Sequence, residues 1–64
     1  MKAKVRLNPS RSLLVQVADE LRAMADELRD KANELEDQGE TLLARAARHY
    51  ADYLEGAARE LEKE

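Results

Sequence analysis

The chain has 64 residues, 39% of them charged, a net charge of −3, no cysteine, and two tyrosines as its only aromatic side chains. A chain this short holds a single domain with a thin core. With no disulfide or thiolate metal site to staple it, its expected support is a partner subunit. The longest apolar run, Leu13-Leu14-Val15, cannot span a membrane, and the basic start leads into no apolar signal core. A soluble chain with no targeting segment is therefore expected, its location in a cell left open.

Residues 1–7 alternate strictly, with Met1, Ala3, Val5 and Leu7 on one side and Lys2, Lys4 and Arg6 on the other. A period of two is the pattern of a half-buried β-strand. No other run in the chain repeats it, and a lone strand leaves its backbone N–H and C=O groups without partners. The partner strand is expected from a second molecule, with Ala3, Val5 and Leu7 facing inward. These seven residues hold three cations and no acid, whereas the remainder holds eight cations against fourteen acids. A nucleic-acid binder normally carries more basic character in its body.

Asn8-Pro9-Ser10 is the first break. Asn and Ser are good helix caps, and proline suits the first helical turn, where no N–H is required. From residue 9 to 38 the spacing predicts one long helix. Leu14, Leu21, Leu28 and Leu35 recur every seven residues, and Ala18, Ala25 and Ala32 repeat at the same period, a seam suited to a closely approaching antiparallel helix. Leu13, Leu14, Val15, Val17 and Ala18 cover most of the circumference at its start. Its end, with Lys31, Asn33, Glu34, Glu36 and Asp37, keeps only Ala32 and Leu35 apolar. The start is thus expected to be covered on several sides, the end by one neighbour.

Gln38-Gly39-Glu40 is the second break, with Gly39 able to take the left-handed conformation that closes a helix. A second helix is predicted over 40–63, and so short a link makes the two helices an antiparallel hairpin. Leu43, Ala47, Tyr50, Leu54, Ala57 and Leu61 are expected to face helix one. Leu42, Ala46 and Tyr53 form an adjoining stripe, wider than one neighbour requires. Gly56 stands inside this helix, where glycine costs about 1 kcal/mol against alanine. The polar turn is expected in solvent, and self-association at the open end, extending along the helices.

Little in the chain points to chemistry. His49 has Ala46 where a Glu-x-x-His metal pair would need a carboxylate. The carboxylates mostly sit opposite the seam near Arg or Lys, as in Glu27 with Lys31 and Glu55 with Arg59, spacing that makes solvated surface pairs. No Gly-rich phosphate loop occurs. No catalytic, cofactor-binding or metal residue is assigned, and no enzyme activity is expected. Tyr50 and Tyr53 read as core and interface anchors.

A short N-terminal strand followed by two helices, with the strand pairing across a two-fold axis, resembles the ribbon-helix-helix family of dimeric DNA-binding repressors and antitoxins. The resemblance implies that Lys2, Lys4 and Arg6 enter the major groove, and that the start of helix two, Glu40 and Thr41, clamps phosphate. The chain departs from the family in its long helices, which set clamp and ribbon roughly 40 Å apart, and in the acids Glu36, Asp37 and Glu40 at the clamp. The regular heptads, Asn-Pro capping, Gly-terminated helix and minimal loop also resemble a computationally designed protein, in which propensity, patterning and turn chemistry agree.

The sequence therefore predicts a mostly α, single-domain protomer over 1–64: strand 1–7, helix 9–38, helix 40–63. It is expected to be a homodimer joined by a two-stranded ribbon and a four-helix core, with Ala3, Val5, Leu7, Leu13, Leu14, Val17, Tyr53, Ala57 and Leu61 at the interface. The expected function is that of a self-associating structural scaffold, with no membrane or small-molecule partner. DNA binding through Lys2, Lys4 and Arg6 is the alternative.

Overall fold

A computed structural model describes the backbone of residues 7–63 and the side chains of 12–63. It is a hairpin of two helices, α1 over Leu7–Asp37 and α2 over Thr41–Lys63. Among the described residues there is no β-strand. This corrects the expected strand-helix-helix fold, its intermolecular ribbon and the topological likeness to ribbon-helix-helix proteins.

The correction has a local cause. α1 begins at Leu7 and runs straight through Asn8-Pro9-Ser10. Pro9 is the third helical residue, and the first four N–H groups of a helix have no internal acceptor, so proline removes no bond there. The three residues read as a boundary are thus compatible with a helix already under way. The remaining residues of the expected strand, 1–6, lie outside the described residues.

The turn follows the predicted chemistry. Gly39 has φ +85°, its N–H donates to the Glu36 carbonyl at 3.0 Å, and the Glu40 N–H donates to the Leu35 carbonyl at 2.8 Å. This pair of bonds is the Schellman closure, which satisfies two carbonyls at the helix end. The Glu40 carbonyl then accepts from the Ala44 N–H at 3.0 Å, the first bond of α2.

The seam between the helices is made of alanine. Ala18, Ala25 and Ala32 of α1, and Ala44, Ala51 and Ala58 of α2, are fully buried, and Leu54 is nearly so. Each set recurs every seven residues. With side chains no larger than a methyl group, the two backbones can approach closely. Ala25, Ala51 and Leu54 form the centre, with Leu21 and Leu28 packed against them. The expected face of α2 is corrected by a rotation about its axis. Leu43 and Tyr50, placed toward α1 from the sequence, are each 53% exposed. Counting large apolar residues misplaced the contact, because the small ones form it.

α1 has 31 residues and α2 has 23. Sharing one turn, they leave about eight residues of α1, some 12 Å, running past the end of α2. Leu13, within this overhang, is exposed and Leu14 half-buried, and Val15 and Val17 just beyond it are also exposed.

Candidate functional site

Two rows of side chains flank the alanine seam on each helix, and they differ in character. One row stands four residues after each alanine, the other three residues after it, on opposite flanks of the contact. On one flank α1 presents Arg22, Arg29 and Glu36, and α2 presents Arg48, Glu55 and Glu62. These pair across the hairpin at every second turn. Arg22 is bidentate on Glu62, with Nη1 donating to Oε2 at 2.9 Å. Arg29 Nη2 donates to Glu55 Oε1 at 2.6 Å and to Asp52 Oδ1 at 3.1 Å. Arg48 Nη2 donates to Glu36 Oε1 at 2.6 Å and to Asn33 Oδ1 at 3.0 Å.

The ladder is an electrostatic unit. Hydrogen bonding from Arg22 holds the Glu62 carboxyl below its ordinary value of 4.5. Hydrogen bonding to Glu62 raises the pKa of Arg22, and bonding to Glu55 and Asp52 raises that of Arg29. The ladder's partners are surface groups, open to water and salt, so its main effect is to fix the register of α2 on α1. Sequence spacing alone had paired Glu55 with Arg59; in the structure Glu55 turns across the hairpin to Arg29 instead.

The other flank is apolar. Leu14, Leu21, Leu28 and Leu35 of α1 face Ala47, Leu54 and Leu61 of α2, and beyond them stand Val17, Met24, Leu43, Tyr50 and Tyr53. Met24 is 47% exposed, Tyr53 68% and Leu42, farther round α2, 75%. The tyrosine rings stack with centroids 6.2 Å apart and planes 11° apart. A groove of about 200 Å³ opens between the helices here, lined by Met24, Glu27, Leu28, Lys31, Tyr50 and Leu54. These side chains make the apolar flank the main exposed hydrocarbon surface among the described residues.

The sequence-predicted interface residues divide accordingly. Leu14, Val17, Tyr53, Ala57 and Leu61 belong to the apolar side, half-buried or exposed, and Leu13 extends it along the overhang. Ala3 and Val5, with the Lys2, Lys4 and Arg6 stripe, lie outside the described residues, and Leu7 opens α1. Glu40 and Thr41, the phosphate clamp implied by the ribbon-helix-helix resemblance, are exposed at a turn that also carries Glu34, Glu36 and Asp37. That surroundings would repel an anion. His49 is exposed on the outer face of α2, and no metal-binding cluster is found among the described residues.

Sequence reasoning missed Met24 and Leu43 as exposed groups of this side. The signal was available: once Ala44, Ala51 and Ala58 are recognised as matching Ala18, Ala25 and Ala32 in period, the outward position of Leu43 and Tyr50 follows.

No protein-family model, characterised protein or solved structure matches the chain.

Proposed function

We propose that the protein is a self-associating helical scaffold whose work is assembly rather than chemistry. The observation that carries this reading is the contrast between its core and its surface. Fully buried side chains among the described residues are alanines, while Leu13, Val17, Met24, Leu43, Tyr50 and Tyr53 stay about half exposed or more. Burial stabilises in proportion to apolar area removed from water, about 25 cal/mol per Å². A core of methyl groups leaves most of that stabilisation unused until a second surface covers the apolar side. The agreement of turn closure, seam and ladder supports a designed origin for such a scaffold.

Light scattering coupled to size-exclusion chromatography at micromolar to millimolar concentration tests the proposal. The expected mass is a multiple of the 7.3 kDa chain. A monomer mass throughout that range overturns it. No observation in the structure favours the DNA-binding alternative, whose ribbon has no counterpart among the described residues.

A further inference from the structure

α2 carries two heptad seams rather than one, and only the first is occupied. Ala44, Ala47, Ala51, Leu54, Ala58 and Leu61, spaced three and four apart, pack toward α1. Leu43, Ala46, Tyr50, Tyr53, Ala57 and Glu60 repeat the same spacing one step round the helix. This is the pattern of a helix with neighbours on two sides. α1 has no equal: the corresponding outer positions beside Val17 and Met24 are Glu20, Glu27, Lys31 and Glu34, exposed and charged.

We infer that the second seam of α2 packs antiparallel against the same seam of a second copy, across a two-fold axis lying between Tyr50 and Tyr53. The inference rests on the self-association proposed above and names its interface. Three observations support the occupant and its orientation.

The first is size. Leu43, Tyr50 and Tyr53, with Val17 and Met24 on the α1 side, average about half exposed. At roughly 200 Å² per large side chain they leave on the order of 550 Å² uncovered. Adding Ala46, Ala57 and the half-buried leucines reaches the roughly 600 Å² per partner at which stable interfaces begin.

The second is layer matching. In an antiparallel pair the first position of one heptad meets the fourth position of the other. Centred between the tyrosines, this sets Tyr50 against the partner's Tyr53 and Ala46 against the partner's Ala57. Aromatic side chains then meet at the middle and small ones on either side, Leu43 lies against the aliphatic stem of the partner's Glu60 at each edge, and each contact occurs twice by symmetry.

The third is charge. The turn end of the hairpin holds the acids Glu34, Glu36, Asp37 and Glu40, whereas the end of α2 is balanced, with Arg59 and Lys63 against Glu60 and Glu62. A parallel pair would set the two acidic turns side by side. The antiparallel pair separates them by the length of α2 and sets each beside the partner's charge-balanced end instead of a second acidic turn.

The chain's lack of cysteine permits a clean crosslinking test. Ala46→Cys and Ala57→Cys chains, oxidised separately and as a mixture, are examined by mass spectrometry. The expected product is a disulfide-linked heterodimer from the mixture and little covalent dimer from either variant alone. Two copies of position 46 would stand about 16 Å apart along an antiparallel pair. Self-linked dimers of each variant alone would mean a parallel pair and overturn the inference. In parallel, Tyr53→Glu, placed at an exposed site of the single hairpin, is expected to weaken dimerisation tenfold or more while helical circular dichroism at high concentration persists. A Tyr53→Glu protein that still associates with wild-type strength overturns this interface while leaving self-association standing. A wild-type chain that is monomeric at every concentration overturns both.

Discussion

The alanines set the tolerance of the fold. Ala25 and Ala51 are fully buried on facing helices, so a larger side chain at either position must push the backbones apart. Ala51→Leu is expected to destabilise by about 1–3 kcal/mol, the range for overpacking a closed contact, read as a lower urea midpoint at fixed protein concentration. This is opposite to what a leucine at a heptad position of an ordinary coiled coil would do. The charged residues act differently. Glu62 has its carboxyl pKa lowered by the hydrogen bond from Arg22, so the folded state favours the ionised form. The stability this contributes is complete above the ordinary value of 4.5 and is lost as pH falls through the lower folded value. Arg22 is cationic throughout and adds no pH dependence of its own in this range. Glu62→Gln is therefore expected to be less stable than the wild type at pH 7, with the gap closing as both are titrated toward about pH 3. A gap that stays constant over that span would show that Glu62 contributes by packing rather than by charge.

At the scale of the elements, the two glycines make opposite predictions. Gly39 sits at φ +85°, a conformation that costs a side-chain-bearing residue about 1–2 kcal/mol. Gly39→Ala should destabilise by about that amount, although an added Cβ would touch nothing. Gly56 lies within α2, and a Cβ there would also meet nothing within 4 Å. Gly56→Ala should stabilise by roughly 0.5–1 kcal/mol through helix propensity and reduced unfolded-state freedom. Thermal melts of both variants at matched concentration check the pair of signs. The turn was legible in the sequence because Gly39 is required by a local conformational rule. The existence of two antiparallel helices was legible because the leucine and alanine periods are long and regular. The beginning of the chain was not: seven alternating residues satisfy a strand pattern, yet Leu7 belongs to α1 and proline in a first turn stops nothing. The facing of α2 was misread for a related reason. Apolar periodicity ranks positions by side-chain size, while close helix packing selects the smallest ones, and α2 offers both sets one residue apart.

For the whole molecule, the division into an ion-pair side and an apolar side sets what the proposed self-association predicts about stability and concentration. Arg22–Glu62, Arg29–Glu55 and Arg48–Glu36 align α2 on α1 within one chain, and they do so whether or not a second copy is present. Under the proposed self-association the apolar side contributes only when a second copy covers it, and the exposed Leu13, Val15 and Val17 near the start of α1 add to the surface so covered. If folding is coupled to the proposed dimerisation it follows mass action, and dilution is then expected to lower the melting temperature. A hundredfold dilution removes about 2.7 kcal/mol per dimer. For a two-chain unit of this size that corresponds to a fall of about 5–10 °C. Helical circular dichroism melts across the dilution series measure it directly. Raising the salt concentration separates the two sides in the same experiment: it screens the ladder but leaves the apolar contact intact. The concentration dependence should therefore persist in about 1 M salt, where the Debye length is near 3 Å. A melting temperature independent of dilution would mean that the alanine seam and the ladder suffice for the hairpin alone, and that the apolar side of α2 plays no part in holding the molecule together.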